Sequence, residues 1–572
     1  MPLPRLARGW SALLLPALLL LPAVVVAQAN LLNGDVEYAV GGIETAGAAG
    51  LAPQDVFVAR PVGYRLLVWA LAQPAAALGL APSSVPAEVL FRLGACLVAI
   101  AAGVLLYLGL RDRLGRPRAA AVTIAVTAAL MAPPPWHFAQ PDWAGVTLAV
   151  AGLGLALVAL PAWAATALAG AAFTLALGAK IAALPWIVLA LVAVAALNRG
   201  RSLAAAGWTA AMSLLGWISL RTYLPWELTW LGDQVHLVQS SPLHNGLRLE
   251  DLVALASACA NAAVLSPILL VAPAAVVTLA CTERRGWALL GTVLLGLSLG
   301  SAYGQGEFFQ YHFVGAPALA AALWALALTG PGPRRALGAG PFVRTALAGG
   351  LLALPAVASV AAYVVLAQPL QWRLDRGPAI GWTSLGVAVG GAIWTWLVLR
   401  EQTARRAGRE WSAALGTVLA LALGTASIPG AAYAVDGYDA PVVVRIGQPL
   451  KPDALAERDA LVARMGADTQ VLYLAFGVIA HAVGNPTPCR YPSPMWLQRG
   501  ISWPYVRDYA SYADNLRCLD DPRPAWVIVQ PGWFDLARAD QAVTRRVAQT
   551  FDCSSASRLW LPALGVYACP RR

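Results

Sequence analysis

The feature that most constrains this chain is a succession of apolar stretches, each close to the roughly 20 residues that a helix needs to cross a hydrocarbon core of about 30 Å. They fall near 10–29, 89–110, 119–135, 143–160, 164–179, 181–197, 203–221, 262–280, 287–303, 311–330, 345–367, 379–399 and 412–434. In lipid every backbone amide must be satisfied within its own segment or by closure of a barrel, and runs of this length select the helix. The expected fold is therefore mainly α, a polytopic transmembrane bundle of about thirteen spans. Composition agrees: 59% of the 572 residues are hydrophobic and only 12% are charged, more apolar than a soluble core requires.

Charge placement orients the spans. The net charge of +11 comes mainly from arginines in short loops. With a cytoplasmic N-terminus marked by Arg5 and Arg8, the basic groups at 111–118, Arg199/Arg201, Arg284/Arg285, Arg334/Arg335 and Arg405/Arg406/Arg409 all fall on one face, as the positive-inside rule describes. This pattern accounts for the charge without nucleic acid, which is not an expected partner. The apolar stretch 62–80 would invert every later basic loop if it crossed, so 30–88 reads as one external loop carrying a helix along the surface. Only Lys180 and Lys451 are lysines, a bias associated with GC-rich bacterial coding, so the expected location is the plasma membrane of a bacterium. The first run, with Ala27-Gln28-Ala29 after it, also fits a cleaved secretory signal, and either alternative leaves residue 35 outside.

An odd number of crossings leaves residues 435–572 outside, where the composition becomes that of a small α/β domain. A helix from Pro452 and strand-like runs at 470–474, 525–529 and 565–568 are expected there, after a transmembrane domain covering 1–434. Cys489, Cys518, Cys553 and Cys569 all lie in this region, which suits an oxidising compartment. Of the three pairings, Cys489 with Cys518 and Cys553 with Cys569 close short local loops; four free thiols are the alternative. No C-x-x-C spacing of a zinc or redox motif occurs.

Asp35 and Glu37, in Asn33-Gly34-Asp35-Val36-Glu37-Tyr38, follow the first span. A carboxylate there can take the proton of an acceptor hydroxyl within about 3 Å. Asp35 is the candidate catalytic base, with Glu37 to tune or orient it, although a lone acidic pair also serves as solvated loop charge. The external loop 136–143 adds His137 and Asp142 beside two indoles, a surface suited to a sugar, with carboxylates for its hydroxyls and aromatic faces for its C–H patches. Lys180, between spans 164–179 and 181–197, needs an anion or a wet cavity. A lipid phosphate fits it, and so does snorkelling at a helix end. Arg60, Tyr64, Arg221, Glu307 and His312 are further external candidates for substrate binding, each also explicable as an interface anchor. The chain has no nucleotide-binding glycine loop, serine elbow or H-E-x-x-H, so its donor is expected to arrive activated.

Together these elements resemble the GT-C superfamily of integral-membrane glycosyltransferases, in the protein mannosyltransferase and aminoarabinose transferase-like branch that uses polyprenyl-phosphate sugars. Asp35 with Tyr38 is similar to the early D-x-x-Y pattern, whose Asp is the base. Arg60-Pro61-Val62-Gly63-Tyr64 resembles an x-P-P-x-Y element with one proline replaced. Pro141-Asp142 resembles the second external acidic site, and Gly178-Ala179-Lys180 a stretch that meets the donor phosphate. Gln310-Tyr311-His312 with Pro317 is similar to a late element near the lipid-binding cavity. The resemblance implies inverting transfer from a polyprenyl-phosphate-linked sugar to a cell-envelope glycan, lipid or protein, within membrane lipid. Here the acids are spaced D-x-E rather than adjacent, which leaves the acceptor and any divalent metal ion open. A lipid-linked glycan ligase or flippase would share the external acids. A secondary transporter usually carries repeated halves and midplane ionisable residues, and no repeat of that kind is evident.

Overall fold

The computed structural model describes residues 32–134, 136–240, 249–282, 285–305, 308–329, 367–401 and 450–572, with 24, 357, 358, 360–362, 364 and 365 besides. The expected span 412–434, nearly all of 10–29, most of 345–367, and Glu307 lie outside these residues.

A first pair of helices, α1 (Gly34–Ala48) and α2 (Val62–Ala77), precedes the bundle proper. The bundle continues through α3 (Val85–Leu114), α4 (Arg116–Met131), α5 (Pro141–Leu157), α6 (Ala162–Ala179), α7 (Leu184–Leu197) and α8 (Arg199–Tyr223). After α9 (Pro225–Ser240) come α10 (Leu249–Leu265), α11 (Ile268–Thr282), α12 (Arg285–Gly300), α13 (Gly315–Leu328), the short α14 (Leu370–Asp375) and α15 (Gly377–Glu401). Each expected span that falls on described residues is helical. By length and composition six of the described helices can cross a membrane, or seven if α10 and α11, bent by 95° at residues 265–268, count as one span.

Two expectations change. No span is expected between 221 and 262, yet residues 225–240 form α9, whose Trp230 and Leu237 pack into the core of the C-terminal region. The span expected at 262–280 is the far arm of the bent pair, which begins at Leu249. Prolines and polar residues hid both from a search for continuous apolar runs.

At one end of the bundle three arginines cap the C-termini of neighbouring helices. Arg113 donates to the carbonyl of Leu197 (3.2 Å), Arg118 to that of Leu326 (3.2 Å), and Arg201 to those of Ala156, Val158 and Leu160 (3.1, 2.7 and 3.1 Å). Cations there satisfy orphan carbonyls and oppose the negative ends of the helix dipoles.

The C-terminal region is a four-stranded sheet, β1 (Val471–Leu474), β2 (Trp526–Val529), β3 (Leu559–Leu561) and β4 (Val566–Pro570), in the order β1-β2-β4-β3. β1 and β2 are parallel, with Val471 opposite Trp526, so the chain between them must cross over. It does so through helices α17 (Gly477–Val483), α18 (Met495–Ser502) and α19 (Ala510–Arg517), the numbering leaving α16 for Pro452–Met465. The other two pairings are antiparallel. Disulfides join Cys489 to Cys518 and Cys553 to Cys569.

Candidate active site

The site begins at the N-terminus of α1. Asn33 caps this helix, its Oδ1 accepting from the amide of Val36 at 3.1 Å. The same oxygen accepts from Gln140 Nε2 at 3.1 Å, while Asn33 Nδ2 donates to the carbonyls of Trp136 (3.3 Å) and Phe138 (3.1 Å). One capping side chain thus fixes the loop 136–140 to the start of α1. An N-cap asparagine followed by acids in the first turn is the usual helix-start chemistry, which the sequence displayed.

Gln140 uses its amide twice. Nε2 also donates to Asp35 Oδ2 at 3.2 Å, and Arg60 Nη2 meets the same oxygen at 3.4 Å. Both Arg60 and Asp35 remain partly exposed. Two residues beyond Gln140, Asp142 lies in the first turn of α5 and accepts from Lys180 Nζ at 2.6 Å through Oδ2 and from Gln305 at 3.4 Å through Oδ1. Lys180 terminates α6 and holds its ammonium over the ring of Tyr311, 5.4 Å from the centroid. Tyr311 stacks on Phe309 and on Trp136, with the His312 ring set edge-on at 4.5 Å. Arg60, Asp35, Gln140, Asp142, Lys180 and His312 therefore form one continuous assembly.

Close backbone approach brings these elements together. A Cβ on Gly63 would lie 2.6 Å from the carbonyl of Gly178, so only glycine lets the start of α2, next to Arg60, reach the end of α6, next to Lys180. Tyr64 donates its hydroxyl to the carbonyl of Ala139 at 2.8 Å. Ala139 itself has φ of +60°, a left-handed conformation that alanine adopts only under constraint.

His137 is buried, and neither ring nitrogen has a hydrogen-bond partner among the described residues. Burial drives its pKa down to about 3, with Asp142 opposing the shift, so the imidazole is neutral at physiological pH.

Glu37 does not join Asp35. Two residues along a helix is a turn of about 200°, so their side chains diverge. Glu37 is instead held well above the usual carboxylate range, first by burial and second by the Glu88 carboxylate. Glu88 accepts from the amide of Leu32 (2.8 Å) and meets His481 Nε2 at 3.4 Å. Arg221 is exposed at the end of α8, over the ring of Trp217, without a described contact to the Asp35 assembly.

Several participants escaped the sequence reading: Asn33, Gln140, Gln305, the Glu88–His481 contact and Glu227. Buried Glu227 accepts from Arg65 (2.7 Å), Trp230 Nε1 (2.9 Å) and the amide of Val62 (2.8 Å), fixing α2 to α9. The C-terminal region presses on α1 from the other side. Phe476 stacks on Tyr38 with centroids 5.5 Å apart, and a Cβ on Gly41 would lie 2.5 Å from the His481 backbone.

Among the described residues no three metal-ligating side chains converge. Asp35 faces Arg60 and Asp142 faces Lys180, a donor set suited to ion pairing, so no chemical step is derived through a metal.

No protein-family model matches this chain, and no curated protein matches it in sequence. Solved structures do match along nearly the whole length. ArnT from Cupriavidus metallidurans in the apo state is 16% identical, with a TM-score of 0.50, over 99% of this chain and 98% of that one. The same protein bound to undecaprenyl phosphate is 14% identical, with a TM-score of 0.52, over 98% of each chain. The chain thus shares the fold of these solved ArnT structures along nearly its whole length.

Proposed function

We propose that this chain is a glycosyltransferase that moves a sugar from a polyprenyl-phosphate donor to an acceptor hydroxyl outside the cytoplasm, with inversion at the anomeric carbon. The observation that carries this reading is the linkage of a carboxylate, Asp35, to a partly exposed ammonium, Lys180, through Gln140 and Asp142 of one helix start. The solved ArnT with undecaprenyl phosphate bound supports the donor class.

Each group then has a task. Lys180 and Arg60 supply positive charge for the donor phosphate, Lys180 as a point charge with three donors and Arg60 as a planar fork. Gln140 and Arg60 both contact Oδ2 of Asp35, so Oδ1 is the atom we assign to take the acceptor proton. As the acceptor oxygen forms its bond to the anomeric carbon, the bond from that carbon to phosphate oxygen breaks and its electron pair leaves with the phosphate. Cations fixed near that oxygen stabilise the charge as it develops. The aromatic group around Tyr311 forms the sugar-facing wall, while His137 is buried and has no exposed face to offer.

This reading has the Asp35 assembly and residues 435–572 outside, Arg113, Arg118 and Arg201 inside and thirteen spans in all, as the positive-inside rule leads one to expect from the sequence. The test is transfer by purified wild type and Asp35→Asn with a panel of radiolabelled polyprenyl-phosphate sugars and envelope acceptors. Wild type transfers, and the folded variant loses at least about a hundredfold in rate. Equal rates would remove Asp35 from the role of base.

A further inference from the structure

A cavity of ≈ 390 Å³ opens between α1 and α2. Its walls include Val40, Leu51, Val68 and Leu80, and its polar groups are Glu44 and Gln73. Trp69, 42% exposed, stands at its edge. Glu44 lies nine residues beyond Asp35, two and a half turns of α1, so this cavity and the Asp35 assembly occupy opposite sides of the helix. Nothing in the transfer chemistry uses it.

Glu44 is the unusual group. Its Oε2 is enclosed and has no hydrogen-bond partner among the described residues. Burial pushes its pKa up to about 8. A carboxyl oxygen shut away from water without a donor is unfavourable, and a ligand that supplies one restores the loss. Among the described residues no basic side chain lines the cavity, so the charge that complements it is positive. An indole beside a carboxylate is a favourable setting for an ammonium, and the remaining walls suit hydrocarbon. Leu66 and Leu78, close in sequence to Trp69 and Leu80, are exposed, and apolar surface of this kind suits contact with lipid.

We propose that the cavity binds a membrane lipid with a primary ammonium headgroup. The ammonium sits between Glu44 and Trp69 and donates to the Glu44 carboxylate, while the lipid's apolar part lies along Val40, Leu51 and Leu80. As the ammonium arrives, Glu44 releases its proton to water and remains as the ionised partner. A quaternary headgroup has the charge but no N–H to donate, and an anionic headgroup meets a carboxylate, so both bind more weakly.

The test is lipid retention. Full-length protein is taken from nanodiscs containing equal amounts of phosphatidylethanolamine, phosphatidylcholine and phosphatidylglycerol, and the lipids that stay bound are counted by native mass spectrometry. Wild type retains phosphatidylethanolamine over each of the others by about tenfold. Glu44→Gln, nearly isosteric, loses the preference, while Glu44→Asp keeps part of it. Equal retention of the ethanolamine and choline lipids, a preference for the glycerol lipid, or an unchanged preference in Glu44→Gln would each overturn the proposal. Because the readout is bound lipid, the result stands whether or not the transferase reading does.

Discussion

Arg65 and Glu227, 162 residues apart in sequence, meet at 2.7 Å with side chains 0% and 1% exposed. The guanidinium also donates to the carbonyls of Arg60 and Gln54, and it shares the ring of Trp226 with Arg490, the two cations lying 5.0 and 4.7 Å from the ring centroid. This pair sets the height of α2, and with it Arg60, against α9 and the C-terminal region.

Breaking the pair from one side leaves a buried charge without its partner. Glu227→Gln or Arg65→Met is therefore expected to lower stability by about 3–5 kcal/mol, while the double replacement recovers part of the loss. Thermal unfolding in detergent measures both. A double variant no better than the worse single would show that packing around Trp226, not the charge pair, holds α2.

Helix positions were legible because the apolar period and the twenty-residue length leave few alternatives: α3, α6 and α8 fall on their expected stretches within a few residues. The acids and Lys180 were legible because charge in such a chain is rare. The partners that orient them were not. Gln140 and Gln305 are ordinary polar residues until the fold sets them beside Asp35 and Asp142. Glu88 and His481 lie 393 residues apart, a pairing no local pattern encodes. Glu227 did leave a trace, since Pro225 followed by an acid in the first turn marks a helix start. The divergence of Asp35 and Glu37 also followed from the sequence once α1 was seen to begin before them rather than after.

The contact of Gly63 with Gly178 predicts a kinetic defect with little loss of binding elsewhere. Gly63→Val must move α2 away from α6, parting Arg60 from Lys180. An ångström of misplacement at a reacting centre is expected to lower kcat about a hundredfold. Steady-state kinetics beside a melting curve would separate this from unfolding, and a variant that melts normally with unchanged kcat would deny the spacing any role.

Glu44 gives a pH dependence of known sign. Its carboxyl ordinarily titrates near 4.5 but does so at about 8 in the folded chain. Between those values the folded form holds a proton that the unfolded form has lost, so this group's contribution to stability declines as pH rises from about 4.5 and is gone above about 8. Glu44→Gln should flatten that decline and raise the melting temperature at pH 8.5 by roughly a few degrees. Parallel melting profiles of the two proteins from pH 5 to 9 would contradict it.

The disulfides should matter to the C-terminal region and not to the bundle. Cys489–Cys518 and Cys553–Cys569 close loops of 29 and 16 residues by sequence separation, each expected to contribute about 3–4 kcal/mol. Cys489→Ser with Cys518→Ser should increase hydrogen exchange across Val471–Leu474 and Trp526–Val529 while leaving α5 and α6 unchanged. Loss of protection in the helices as well would mean that the two regions unfold together.

Gln140 offers the sharpest separation of orientation from charge. Its amide donates to Asn33 and to Asp35 from a single nitrogen, so it sets both the start of α1 and the direction of the Asp35 carboxylate. Gln140→Leu removes both hydrogen bonds at nearly constant volume, and Asp35 then keeps, among the described residues, the longer contact to Arg60. The expected result is a fall in kcat of about ten- to a hundredfold with the donor KM little changed, because Lys180 and Asp142 keep their own bond. Gln140→Glu is the informative companion: it places a second carboxylate beside Asp35, which raises the pKa of the pair and moves the acidic limb of the pH–rate profile upward. An acidic limb that stays in place in Gln140→Glu, in a protein that still transfers sugar, would mean that Asp35 is not the group whose ionisation the rate follows.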